Sequence, residues 1–341
     1  MSDRFDAIPK VELHCHVEGT VRPSTVVELA SKHGRQLPSE DPTELYRFES
    51  LDSFLAVFWL VQELIGDRDD WARVAYESIV DAAPHGLRYR EMFFTPARHL
   101  AAGQPLAEIV AGLTEGIEAA QRETGVRCAL ICDIDRAYGG AAATELAEGL
   151  TVLRRAGSAD SVIGLGMDST ERGVDPRDFA PAYDIARAVG LRATGHAGED
   201  TGPENIAAAL DALDLERIDH GIAIVEDPEL MARVADARIP LDVCPTSNVA
   251  IANRFPTLAD HPFRRMREAG LLVTINTDDP AMTDLDLGAE YRDVAGAMGY
   301  TFEDMCAIAI EGIEATWLGD EEQRALRASF ERDIATIAAD D

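Results

Sequence analysis

The chain has 341 residues, 46% of them apolar, and its 62 acidic side chains against 31 basic ones give a formal net charge of −31. That balance argues against a nucleic-acid binder or a binder of anionic membrane, both of which present basic faces. It describes a solvated, self-repelling surface around an ample core, with a high-salt habitat as a weaker reading.

No low-complexity linker and no repeat of fixed period divides the chain. A short apolar strand followed by an amphipathic helix recurs instead. The first strand is expected at 11–17, where the run Lys10-Val11-Glu12-Leu13-His14-Cys15-His16 alternates. Period two puts His14 and His16 on one face. Arg22-Pro23-Ser24 opens a helix that Gly34 stops. Residues 35–52 are polar and read as a loop. Phe54, Val57, Phe58, Val61 and Leu64 then recur at helical spacing, as core packing or as a wall over a pocket inserted after strand one. A second helix is expected over 71–83. Further strands are expected at 87–94, 126–134, 162–167, 191–196, 217–220, 240–244 and 271–276. Helices alternate with them over 105–124, 141–156, 175–189, 203–213, 228–237 and 262–269, and residues 286–338 read as helices.

Eight strands, each followed by a helix, predict an α/β fold, a closed (β/α)8 TIM barrel with extra helices after strand one and at the C-terminus. Barrels of this size commonly form one domain, so residues 1–341 are expected to be one. The five cysteines are an odd count with no CxxC pair, which favours a reduced, cytoplasmic compartment. No charged-then-apolar leader and no membrane-length apolar run is present, so a soluble, unprocessed protein is expected.

In such a barrel the active site lies at the carboxyl ends of the strands. His14 and His16 stand there after strand one, His196 after five, His220 after six and Asp278 after eight. His14, His16, His196 and Asp278 make a plausible ligand set for zinc or another borderline divalent metal, one per chain. Such a metal acidifies a bound water to a pKa of about 7. Glu199, three residues past His196, suits a proton donor better than a ligand. His220 is placed to orient the water or take its proton, and Asp278 to accept from it. Each residue also has a plainer reading: Glu199 as a solvated loop acid, His220 as a core histidine, Asp278-Asp279-Pro280 as a turn. His33, His85, His99 and His261 are not at strand ends and read as structural. No HExxH, GxxxxGK[ST] or GxSxG pattern is present.

The set resembles the adenosine deaminase family of metal-dependent aminohydrolases over nearly the whole chain. The resemblance is carried by Glu12-Leu13-His14-Cys15-His16-Val17-Glu18-Gly19, His196-Ala197-Gly198-Glu199, Arg217-Ile218-Asp219-His220-Gly221, Cys244-Pro245-Thr246-Ser247-Asn248 and Asn276-Thr277-Asp278-Asp279-Pro280. It implies the same barrel and hydrolysis of the 6-amino group of a purine, with ammonia released. It implies zinc on His14, His16, His196 and Asp278, with Glu199 protonating purine N1. His220 then positions or deprotonates the attacking water, and Asp279 hydrogen-bonds the imidazole side of the base, while His16 and Glu18 also border the substrate.

Two positions depart from the adenosine-specific pattern. Glu18 stands where that pattern has Asp against the ribose, and Ser169, in Asp168-Ser169-Thr170-Glu171, stands for a glycine near purine N3. Both narrow the sugar end and resemble the adenine deaminase branch, although the stretch around Phe54–Leu64 resembles bacterial adenosine deaminases. The expected partner is a small purine, adenosine or adenine. Alternatives are a modified nucleoside such as aminodeoxyfutalosine, or an amide, lactone or phosphoester cleaved by a different barrel amidohydrolase.

Overall fold

The computed structural model describes residues 4–39 and 41–340. Among these described residues nine strand segments lie parallel: β1 Lys10–Glu12, β2 Leu87–Phe94, β3 Arg127–Asp135, β4 Val162–Asp168, β5 Arg192–Ala193, β6 His196–Ala197, β7 Ile218–His220, β8 Leu241–Val243 and β9 Val273–Ile275. One sheet runs β1 to β5 and a second β6 to β9, each in sequence order. β5 and β6 are halves of the expected fifth strand. The Thr194 carbonyl between them accepts from the Tyr183 hydroxyl at 2.6 Å, and the Thr194 hydroxyl turns to the Arg217 carbonyl and Asp219. Backbone bonds from Glu216 to Ala193 and from Asp219 to Gly195 carry the strand across the gap. The nine segments therefore make the eight expected strands, the α/β architecture of a (β/α)8 barrel.

The two sheets also meet between strand eight and strand one. Cys15 pairs in parallel with Asp278, and His16 with Phe93. The Asp278 N–H donates to the His14 carbonyl at 3.1 Å, and the His16 N–H to the Asp278 carbonyl at 2.9 Å. The expected strand at 11–17 is thus interrupted. At Leu13 the Asn276 side-chain oxygen takes the N–H that a neighbouring strand would take.

The helices follow the expected alternation: α1 Arg4–Ala7, α2 Pro23–Lys32, α3 Pro42–Leu45, α4 Leu51–Leu64, α5 Arg68–Ala82, α6 Ala97–Ala101, α7 Leu106–Thr124, α8 Gly139–Arg155, α9 Ala180–Arg187, α10 Pro203–Leu213, α11 Pro228–Ala237, α12 Pro245–Ala250, α13 Phe263–Glu268, α14 Leu287–Met298, α15 Phe302–Glu311 and α16 Asp320–Asp340. Proline at the first helical position opens α2, α10 and α11, because its missing N–H is one the helix start leaves free anyway. The stretch 35–52 holds α3 and the start of α4, while its Glu40 lies outside the described residues. Ser50 begins α4 by capping the Ser53 N–H, and Asp67 begins α5 by capping Asp70. α5 starts three residues before its first apolar side chain, Trp71, so an apolar pattern alone places its start too late. The short α12, directly after strand seven, is not expected from the sequence. Among the described residues no helix is long and apolar enough to cross a membrane.

The main core lies between the strands and the surrounding helices, around Trp71, Leu113, Leu146, Tyr183, Ile206 and Phe263. A smaller cluster ties Val11 and Leu13 to Tyr89, Ile313 and Phe330, so the C-terminal helix packs back onto the first strand. Between them lies a buried ionic layer. The Arg217 guanidinium, fully enclosed, stands 2.5 Å from Glu91 and 2.5 Å from Asp242, with the Trp317 ring 4.1 Å away. Glu91 also accepts from Tyr89 and from the Trp317 N–H, which links β2 to the C-terminal segment. Removing one member of such a set leaves uncompensated charge in a dry interior. Arg217→Met should therefore cost about 3–5 kcal/mol of stability, read as a lower midpoint in urea unfolding. A midpoint equal to that of the parent protein would mean the layer is not ionised.

Candidate active site

The ends of strands one, five, six and eight bring His14, His16, His196, His220 and Asp278 to one point. His220 and Asp278 leave their strands in the left-handed region, at φ 60° and 65°, as does Ser169 after β4 at 70°. Non-glycine residues sit there only when their surroundings compel it, and such positions cluster at functional sites. The turn re-aims each side chain at the moment the strand ends.

His14 Nε2 stands 3.2 Å from Asp278 Oδ1, His16 Nε2 3.4 Å from the same oxygen, and His16 Nε2 3.3 Å from His196 Nε2. All four residues are buried, with their ligand atoms within 4.8 Å of one another. Among the described residues neither nitrogen of His14 has a hydrogen-bond partner. Ligands about 2.1 Å from a tetrahedral first-row ion stand about 3.4 Å apart, which is the spacing found. A buried His14 nitrogen that lacks a hydrogen-bond partner among the described residues, 3.2 Å from a carboxylate oxygen, is an arrangement that a cation between them satisfies, so the donor set fits a divalent metal. Burial lowers His14 to about 4 and holds His16 well below its usual range, so both are neutral donors. Burial would raise the Asp278 carboxyl, but the histidines around it, His14 foremost, hold it well below the carboxylate range. Burial also opposes charge on His196, yet Asp219 outweighs it and raises that histidine to about 9. The outer nitrogens of His16 and His196 face Asp133 at 3.6 Å and Asp219 at 3.5 Å, carboxylates that orient the rings.

Beside this set lies a cavity lined by His16, Glu199, His220, Asp278, Asp279 and Ser169 on one side. Phe54, Leu55, Phe58, Trp59 and Gln62 of α4 line the other. Of the helically spaced residues expected as core or wall, Phe54 and Phe58 form wall, while Val61 and Leu64 are core. Glu199 Oε1 is 3.7 Å from His220 Nε2, and burial raises its carboxyl. Asp279 is pushed well above the usual range, first by burial and then by the adjacent Asp278, and its Oδ1 has no partner among the described residues. Gly19 makes room for it: a Cβ there would lie 1.9 Å from Asp279 Oδ1. Glu18, expected to border the substrate, is fully buried; its Oε1 accepts the N–H of the cavity residue Thr95 at 2.9 Å, and burial raises its carboxyl to about 7. His33 and His85 pair with Asp70 and Asp6, and His99 packs edge-on against Trp71, away from the site.

Several residues here escape a reading of the sequence. Glu171 accepts from the backbone N–H groups of Gly198, Glu199 and Asp200 at 2.7, 2.8 and 3.1 Å, and from Thr201 and Asn205. It holds the loop that carries Glu199. Gly198, at φ 72° and with Ile206 2.5 Å from where a Cβ would stand, lets that loop turn. Thr95, Asp135 and Asp168 line the cavity at the ends of strands two, three and four. The strand-end rule that selects the histidines would also have selected them. Ser247 donates to Asp278 Oδ2 at 2.6 Å. Asn248 links His220 to His261, so His261 is joined to the site although its place in the sequence reads as structural.

A family model for adenosine deaminase matches residues 9–332. The chain is 38% identical to an adenine deaminase of Streptomyces coelicolor over 332 residues, which is 96% of this chain and 95% of the relative. The crystal structure of an adenine deaminase from Arthrobacter aurescens superposes with a TM-score of 0.90 at 31% identity, covering 96% of this chain and 99% of that one. An amidohydrolase from Burkholderia ambifaria, solved with zinc bound, superposes equally well at 34% identity, covering 98% and 94%. With the match running from before the first histidine pair to within the last helix, the chain belongs to the adenosine deaminase family.

Proposed function

We propose that this protein is a zinc-dependent adenine deaminase, which hydrolyses the 6-amino group of the free base to give hypoxanthine and ammonia. The observation that carries this reading is the convergence of a metal donor set, a raised carboxyl and a second raised carboxyl on one aromatic-walled cavity. His14, His16, His196 and Asp278 hold the metal, which when bound supplies a water acidified to a pKa of about 7. We read the barrel and its added helices, residues 1–341, as one domain, supported by the packing of Phe330 on the first strand.

The remaining chemistry belongs to the chain's own side chains. A 6-aminopurine resists attack until a ring nitrogen takes a proton. Glu199, buried and with its carboxyl raised above the usual value, is the acid that gives that proton to N1, making C6 electrophilic. Asp279, which lines the cavity with its carboxyl pushed well above the usual range, keeps a proton to donate to the N7 lone pair. His220 orients the attacking water. The α4 wall covers the base with apolar rings and excludes bulk water.

Adenine is favoured over adenosine by the curated relatives that match nearly the full chain, and by Ser169, whose side chain lines the cavity from a backbone conformation that favours glycine. Glu18 contributes by fixing the Thr95 backbone.

The zinc-loaded protein should convert adenine to hypoxanthine, followed by the ultraviolet band shift, with kcat/KM well above that for adenosine. A preference for adenosine or for larger nucleosides would overturn the substrate assignment, and no turnover of any aminopurine would overturn the reaction. Glu199→Gln should lose about 10²- to 10⁴-fold in kcat while binding one zinc per chain; full activity in that variant would remove Glu199 as the proton donor. Ser169→Gly should relieve about 1 kcal/mol of left-handed strain and raise the adenosine-to-adenine ratio of kcat/KM. An unchanged ratio would show that this side chain does not limit the sugar end.

A further inference from the structure

A hydrogen-bonded chain that starts at a backbone amide ends on His220. The Phe263 N–H donates to His261 Nδ1 at 3.1 Å. An imidazole nitrogen that accepts carries no proton, so neutral His261 holds its proton on Nε2. That nitrogen lies 3.1 Å from Asn248 Oδ1, to which it donates. With its oxygen engaged, Asn248 turns Nδ2 toward His220 Nδ1 at 3.0 Å. An amide nitrogen only donates, so His220 Nδ1 accepts.

We infer that Phe263, His261 and Asn248 lock His220 as the tautomer protonated on Nε2, so that His220 meets the attacking water as a hydrogen-bond donor and not as its base. His261 and Asn248 are positioning residues in this scheme. The part that concerns catalysis rests on the deaminase reading above, whereas the tautomer does not.

The direction of the chain has one source. Flipping the Asn248 amide would set its Nδ2 against the His261 Nε2 proton. That proton would then have to move to Nδ1, where the Phe263 N–H already points, and a backbone amide cannot be reversed. His261, Asn248 and His220 are all buried, so bulk solvent does not compete for these bonds. Burial, then the nearby His220, lowers His261 to about 3, in keeping with its neutral form. At the other end, His220 Nε2 is 3.7 Å from Glu199 Oε1 and 3.9 Å from Asp278 Oδ2. Neither carboxylate bonds it directly, and both stand at a separation that one water bridges.

Nitrogen-15 NMR of the histidine side chains, in the zinc-loaded protein and again without metal, reads the tautomer directly. His220 should show a protonated Nε2 and a bare Nδ1. A proton on Nδ1 in the zinc-loaded protein would overturn the inference, whatever the variants do. Asn248→Asp replaces the donor with an acceptor, so it should move the His220 proton to Nδ1 and lower kcat on adenine by about 10²-fold, with KM little changed. An Asn248→Asp protein that keeps both the original tautomer and the original kcat would also overturn it. Absence of adenine turnover in the parent protein would sink the deaminase reading instead, with the tautomer still decided by the spectrum.

Discussion

The backbone bonds between Asp278 and the His14–His16 segment carry two tasks at once. They join the last strand to the first, and they set the Asp278 carboxylate against the two imidazoles. Closure of the ring and assembly of the donor set are therefore one event. The side chains from strand one and strand eight cannot drift apart without opening the barrel. Because the same residues do both, the site inherits the rigidity of the sheet, which is what preorganised chemistry requires.

The cost of gathering these groups is spread through the layers around them. Carboxylates stand behind two of the imidazoles, and Ser247 donates to the oxygen of Asp278 that faces away from His14 and His16. Glu171 gathers three consecutive backbone N–H groups and two side chains on one carboxylate. Burial opposes its charge, but the Arg136 guanidinium and these bonds outweigh burial and lower its pKa below the usual value. Glu199, 28 residues along and held through its own N–H by that same carboxylate, has the opposite fate. Burial dominates there and raises it. Two glutamates on adjoining loops are thus shifted in opposite directions, one held by donors and a neighbouring guanidinium, the other governed by burial.

The acidity of the sequence reads differently once the chain is folded. Some of the acids lie on the surface in ordinary ion pairs, such as Glu115 with Arg68 and Asp211 with Arg233, which contribute little to stability. Another part lines the barrel interior: Glu12, Glu91, Asp133, Asp219 and Asp242 are fully buried. Of the two lysines, Lys10 is buried too, where it donates to the carbonyls of Phe5, Ile8 and His85 and closes the far end of strand one. Net charge alone describes the surface and gives no sign of this interior layer.

What could be read from the sequence was what local periodicity determines. Period two placed His14 and His16 together, alternation of strand and helix gave the barrel class, and the strand-end rule picked out His196, His220 and Asp278 for the same mouth. Boundaries slipped where side chains replaced the ladder, at Leu13 and Thr194, or where capping acids preceded the apolar pattern, as before Trp71. The tertiary structure alone decided that Glu18 holds the Thr95 backbone, that Glu171 holds the acid loop, and that His261 reaches His220 through Asn248. The physical reason is range. A repeat along a strand or helix is written in neighbouring residues, whereas the partner of a buried donor is chosen by which loops meet at the barrel mouth, and no spacing in the chain encodes that meeting.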